Sequence, residues 1–173
     1  RNVRVGPDQV VGGMSGLGNA WEVLRVTGSI ERLMVASMAA GLATAVVQRA
    51  IEFAKTREQF GRRIAAFQSI QHTLVDMHIT AAAMDHFVNA ALCAYEQGSE
   101  SAETVCMAKA YCSEQLQVLV AQGMRVVGGR GYFGFERMSR YYREAPFTLY
   151  AGGTVEIQKM LIARSLGLDE APA

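Results

Sequence analysis

Three groups of residues have types and spacings that could do chemistry. The first is Arg57-Glu58-Gln59-Phe60-Gly61, followed by Phe67-Gln68. On pattern alone it reads as a helix C-terminus, with basic residues near the negative end of the dipole and Gly61 as the stop. The second is Val127-Gly128-Gly129-Arg130-Gly131-Tyr132. Closely spaced glycines let backbone N–H groups approach a phosphate, and they serve equally well as a capping loop. The third is Arg143-Glu144-Ala145, then Ala151-Gly152-Gly153-Thr154-Val155-Glu156-Ile157-Gln158. Thr154 precedes an apolar helical run and can cap it, leaving N–H groups that suit an anion or simply open a helix. No strand–glycine loop–helix sequence accompanies the glycines, which excludes a Rossmann fingerprint.

Other candidates read as packing. His72, His78 and His86 are spaced by six and eight residues and form no i, i+4 metal pair, so no metal site is expected. Cys93, Cys106 and Cys112 show no C-x-x-C spacing and read as reduced, packed thiols of a cytoplasmic protein. Tyr141-Tyr142 and the Met-rich helix seam read as packing too.

Helices must position these groups. A first helix is expected from about Ala20 to about Thr56, with Thr27-Gly28-Ser29 as a possible bend and Gly61 as the break beyond it. A second runs from about Phe67 to about Glu96, with an apolar seam of Ile70, Leu74, Met77, Ala81, Met84, Val88 and Ala91. Its steps alternate four and three, as in antiparallel helix packing. Gln97-Gly98 ends it, and Ser101 caps a third helix with Val105, Ala108, Cys112, Leu116, Leu119 and Val126 turned inward. Shorter helices are expected near Phe135–Glu144 and Thr154–Leu166. The fold class is therefore all-α, an antiparallel four-helix bundle.

Bulk properties narrow the function. Of 173 residues half are hydrophobic and the net charge is +1, which gives no reason to expect nucleic acid or an anionic membrane as partner. No uninterrupted apolar run reaches the ~18 residues of a membrane span, and no signal peptide opens the chain. Residues 1–18 lack an initiator Met and read as the last strand and linker of a preceding β-domain. The body, 19–173, is a C-terminal helical domain of a longer protein, expected to be inactive alone.

Taken together, the order Arg-x-x-Phe-Gly, Phe-Gln, Gly-Gly-x-Gly-Tyr, Arg-Glu-Ala, Gly-Thr-x-Glu-Ile-Gln resembles the acyl-CoA dehydrogenase family over nearly the whole chain. Val5-Gly6-Pro7-Asp8-Gln9-Val10-Val11-Gly12-Gly13 is similar to the exit from that family's middle β-domain. The resemblance implies FAD as cofactor and acyl-CoA as substrate. In that chemistry a carboxylate removes the α-proton while the β-hydrogen passes to the flavin. It also implies an electron-transferring flavoprotein as partner and a homodimer or homotetramer.

Carried over by position, Arg57, Phe60, Phe67, Gln68, Arg125, Gly128 and Gly129 correspond to contacts with the adenine and pyrophosphate half of a neighbouring subunit's FAD. Thr154 and Glu156 correspond to contacts with the same subunit's flavin nucleotide. Many members place their catalytic glutamate where this chain has Gly152, which cannot abstract a proton. Isovaleryl and long-chain types carry it on the first helix of this domain, and Ser29-Ile30-Glu31-Arg32-Leu33-Met34-Val35-Ala36 matches that pattern. The resemblance thus assigns Glu31 as base, with Arg32, Gly152 and Gly153 in the substrate site. The Gly152 N–H would still donate to the thioester oxygen, and burial of Glu31 would raise its pKa. Without the family, Glu31 reads as a surface glutamate pairing with a nearby Arg.

Three positions depart from the family. Arg125 replaces a usual Gln, Ser29 a common Asp, and Pro146 follows Arg143-Glu144-Ala145 where members usually continue without proline. Two alternatives stand beside the main reading: a non-catalytic, flavin-supporting subunit of a hetero-oligomer, or a relative acting on an acyl-carrier-protein thioester or using reduced flavin with oxygen.

Overall fold

The computed structural model describes residues 2–97 and 102–168. Three long helices dominate: α1 (Ala20–Thr56), α2 (Gln68–Glu96) and α3 (Ala102–Val127). Three shorter ones follow: α4 (Arg137–Glu144), α5 (Phe147–Tyr150) and α6 (Val155–Ser165). The helix α6 lies along α3 and completes the four-helix bundle. The turns expected at Gly98 and Ser101 fall outside the described residues.

The core follows the sequence seams. Leu74, Met77, Ala81, Met84, Val88 and Ala91 of α2 are buried, and Ile70 packs against them half-buried. Val105, Ala108, Cys112, Leu116, Leu119 and Val126 of α3 meet them. The α1 contribution is mainly small residues: Ala36, Ala39, Ala40, Ala43 and Ala50, with Val46 and Val47. Small residues let α1 and α3 approach closely. A Cβ added at Gly123 of α3 would stand 3.1 Å from Val46 Cγ1 and 2.6 Å from Met138 Sδ, so nothing larger fits.

Several expectations are corrected. The helix α1 runs unbroken through Thr27-Gly28-Ser29. It is long and apolar enough to cross a membrane, with a mean hydropathy of 1.5 over its best window, because that measure tolerates an interrupting charge where a count of uninterrupted apolar residues does not. Close to half of that window is buried within the bundle. Gly61 does not stop a helix. The chain leaves α1 at Arg57 and forms a small hairpin, β1 (Glu58–Gln59) against β2 (Arg62–Arg63). Phe60 (φ 53°) and Gly61 (φ 77°) occupy its two-residue turn, where both central residues take the left-handed region.

Among the described residues before 18 no strand is formed. Residues 7–9 and 13–16 make 3₁₀ turns instead. Pro146, one of the departures from the family, is the N-cap residue of the four-residue α5. Cys93 and Tyr142 are exposed instead of packed, whereas Cys106 and Cys112 are buried. Burial pushes the Cys112 thiol up to about 12, so it is inert at neutral pH. All three histidines are exposed.

One buried ion pair ties the short helices to α1. The Arg49 guanidinium donates from Nε and Nη2 to both oxygens of Glu136, each at 2.8 Å. Glu136 is 6% exposed and also caps α4, accepting from the Met138 N–H. Arg49 holds the Glu136 carboxyl below the usual carboxylate range. A lowered folded-state pKa adds stability above the unfolded value and loses it as pH falls through the folded one. Arg49→Met should therefore cost on the order of 2–4 kcal/mol near neutral pH, by stranding a buried carboxylate. Urea unfolding at pH 7 and pH 3 should show that deficit shrinking at the lower pH.

Candidate functional site

Two sites emerge at opposite ends of α1. The first is a cavity of about 560 Å³ between the hairpin and the C-terminal end of α3. It brings together Arg57, Phe60, Phe67, Gly128 and Gly129 from three separate stretches of sequence. Arg57 is the C-cap of α1: its N–H donates to Phe53 O and its carbonyl accepts from Ile64 N–H, fixing where its side chain leaves the bundle. Phe60 and Phe67 meet edge to face at 6.2 Å, and the Arg62 guanidinium lies 4.0 Å over the Phe67 ring. At Gly128 (φ 60°) and Gly129 an added Cβ would meet nothing within 4 Å, so the backbone there is open to a ligand.

Two residues of the expected set lie outside the cavity walls. Gln68 and Arg125 are exposed beside it, at the first turn of α2 and the last of α3. Three further polar residues, Gln59, Ser69 and Arg130, do line it. Arg130 stands inside the glycine motif, and its position between glycines was the available signal.

The second site forms where the 145–154 segment crosses α1. Gly152 (φ 65°) lies directly on that helix: its added Cβ would be 3.5 Å from Glu31 O, 3.5 Å from Arg32 Cα and 3.4 Å from Val35 Cγ2. Two positions 121 residues apart thus share one patch of space. The Gly152 N–H donates to no acceptor among the described residues.

Glu31 itself is exposed on this chain, not buried as a tuned base would be. The reason is helical: α1 buries its other faces against α2 and α3, and Glu31 shares the uncovered face with Ile30, Met34 and Met38. Glu31 makes no ion pair among the described residues, so it does not pair with a neighbouring arginine. Beside it an apolar groove of about 400 Å³ runs between Ile30, Leu33, Met34, Ser37 and Met38 of α1 and Leu92 and Tyr95 of α2. Arg32 turns the other way, its Nε buried without a partner.

The segment after Gly152 is closely constrained. Gln158 is fully buried, and its Nε2 donates to the carbonyls of Gly152 (3.2 Å), Gly153 (3.1 Å) and Thr154 (3.3 Å). A Cβ at Gly153 (φ 86°) would fall 2.9 Å from that Nε2. Thr154 caps α6 as expected, accepting from the Ile157 N–H at 3.3 Å. Glu156 is exposed in the first turn, where its own backbone N–H and the Thr154 hydroxyl hold its carboxyl below the usual range.

Comparison with known proteins follows the same outline. Residues 18–167 match the family model described as acyl-CoA dehydrogenase, C-terminal domain. The chain is 33% identical to a 3-(aryl)acrylate reductase of Clostridium sporogenes over 95% of its own length and 43% of that protein. It is 35% identical to the caffeyl-CoA reductase-Etf complex subunit CarC of Acetobacterium woodii, over 87% of its own length and 39% of that protein. It superimposes on butyryl-CoA dehydrogenase from Megasphaera elsdenii with a TM-score of 0.83 at 30% identity, over 86% of this chain and 39% of that one. The chain therefore spans about two fifths of the length of these relatives.

The geometry at Gly153 carries its own test. Gly153→Ala combines a left-handed backbone with a clash against Gln158, and should cost about 2–4 kcal/mol, combining ~1–2 kcal/mol of backbone strain with overpacking. Thermal unfolding should show it well below Gly129→Ala, where the side chain would enter open space.

Proposed function

The chain belongs to the acyl-CoA dehydrogenase family as its C-terminal domain, and from that premise we propose that it supplies the base, the thioester donor and a nucleotide-binding surface of an FAD-dependent acyl-CoA dehydrogenase. The observation that carries this is the meeting of Glu31 and Gly152. Glu31, an exposed acidic residue, and Gly152, whose N–H is free among the described residues, meet through their backbones on one patch of α1.

The chemistry needs this pair. Removing the α-proton of a thioester leaves negative charge on its oxygen, so a base and an oxyanion donor must act on neighbouring atoms. Glu31 accepts the α-proton. The Gly152 N–H donates to the thioester oxygen as charge develops there. Arg32, turned to the other side of α1 beneath Gly152, adds positive potential there, and the groove from Ile30 to Tyr95 suits an acyl chain lying beside the base. Glycine at 152 leaves the donor in place while the carboxylate comes from across the gap.

The cavity at the other end of α1 fits the phosphate half of a dinucleotide. Arg57 and Arg130 bring two guanidinium groups to it, and Gly128 and Gly129 present open backbone. Phe60 and Phe67 supply aromatic surface. FAD, when bound, supplies the two-electron acceptor that takes the β-hydrogen. The cavity lies at the far end of α1 from Glu31, so the FAD it touches would belong to a neighbouring subunit, which makes a homodimer or homotetramer part of the site. An electron-transferring flavoprotein is the proposed acceptor of the electrons. Two relatives point that way: one is named as the subunit of an Etf complex, and one solved structure is titled as an electron transferring flavoprotein.

In the complete polypeptide, Glu31→Gln should lower turnover of its acyl-CoA substrate by at least ~10² while FAD stays bound, because loss of a general base costs ~10²–10⁴. An unchanged rate would remove Glu31 from the mechanism. Arg57→Ala should lower FAD occupancy and shift size-exclusion elution toward smaller species; full occupancy would place the cofactor elsewhere.

A further inference from the structure

We infer that three side chains of α3, Lys109, Ser113 and Gln117, are positioning residues that hold the Gly152 N–H at the height over α1 where it can donate to a thioester oxygen. The inference rests on the reading of the Glu31–Gly152 site given above.

The three residues stand at i, i+4 and i+8, hence on one face of α3. Each donates to a backbone carbonyl of the segment that leads to Gly152. Lys109 Nζ reaches Leu149 O at 3.1 Å, Ser113 Oγ reaches Thr148 O at 2.8 Å, and Gln117 Nε2 reaches Ala145 O at 3.0 Å. These carbonyls belong to the end of α4 and to α5, a helix of four residues. A helix that short satisfies few of its own carbonyls, so its place must be fixed from outside. From the other side Gln158 of α6 takes the carbonyls of residues 152, 153 and 154. Six carbonyls between Ala145 and Thr154 are thus held by side-chain donors. The Gly152 N–H is left free.

Stability alone does not explain this ladder. Lys109 and Ser113 are fully buried. Burial lowers the Lys109 ammonium to about 8, nearby Glu156 offsetting and Arg32 adding to the effect, with the Cys106 thiol alongside. A buried charge with one acceptor is costly, and a packed apolar residue would be cheaper. What the ladder gains is precision. An oxyanion donor acts only within a few tenths of an ångström of its mark, and displacements near 1 Å cost rate out of proportion to stability.

The test uses the complete polypeptide with FAD bound, and the variants Lys109→Met and Gln117→Leu. Turnover, the dissociation constant of the acyl-CoA substrate and flavin content are measured. A 3-arylacryloyl-CoA thioester serves as a spectroscopic probe, since donors that polarise its carbonyl move its absorbance to longer wavelength. Turnover should fall about 10- to 100-fold, below the 10²–10³ of deleting a donor outright. Substrate dissociation should stay within about threefold, flavin content should match the parent, and the red shift of the probe should shrink. Turnover within twofold of the parent with an undiminished red shift would overturn the inference. Should Lys109→Met fail to fold, Ser113→Ala, which deletes one hydroxyl, decides by the same measurements. If the unmodified enzyme oxidises no acyl-CoA, the functional reading fails and the inference falls with it. If the enzyme turns over and the variants match it, the inference alone fails.

Discussion

The close approach of α1 to α3 is the constraint on which the rest depends. Alanines at 36, 39, 40, 43 and 50 leave α1 narrow on one side, and Gly123 lets Val46 and Met138 close over α3. With larger residues the two helices would separate and the cost would be more than lost burial. The 145–154 segment lies over both helices: its carbonyls are held from α3 while Gly152 rests on α1. A wider gap would lift the Gly152 N–H away from Glu31. The spacing of two core helices therefore sets the distance between Glu31 and the Gly152 N–H. A well-packed core transmits such constraints because it cannot compress or swell cheaply.

The same economy of space explains how glycine can stand where a family glutamate is common. Gly152 and Glu31 are far apart in sequence but share one patch of α1, so in the proposed reaction a carboxylate at either position would serve the same space. What cannot move is the N–H, which belongs to the backbone whatever the side chain. Polar groups around it are buried and asymmetrically satisfied: carbonyls have donors, while Arg32 Nε and Gln158 Oε1 have none. Unsatisfied buried polar atoms are rare in packed interiors, and these two belong to neighbours of the Gly152–Thr154 segment.

Much of the architecture was legible in the sequence because it follows from periodicity. The 4-3 alternation from Ile70 to Ala91, and the inward set from Val105 to Val126, are local patterns that any bundle must bury. The cap at Thr154 was legible for the same reason. The hairpin was not, because Arg57-Glu58-Gln59-Phe60-Gly61 satisfies a helix-stop pattern until Phe60 is seen to share the left-handed turn with Gly61. Glu31 and Gly152 could each be named as candidates through family resemblance, but their contact is a tertiary fact that no spacing encodes. The ladder of Lys109, Ser113 and Gln117 lay hidden in an apolar-looking helix. Its i+4 spacing was present, but its acceptors are carbonyls, which leave no trace in residue identity. Gln68 and Arg125 stand beside the cavity and not on its walls for a related reason: motif position fixes a residue's neighbourhood and not the direction of its side chain.

The central claim is that this domain helps to oxidise an acyl-CoA thioester, and an anaerobic visible spectrum of the complete polypeptide tests it most directly. A panel of acyl-CoA thioesters of differing chain length and branching would be added in turn to the oxidised protein. The account predicts that at least one bleaches the oxidised-flavin band near ~450 nm, since electrons leaving the thioester must reduce the cofactor. A protein that binds flavin but is reduced by none of them, or that binds no flavin, would contradict it.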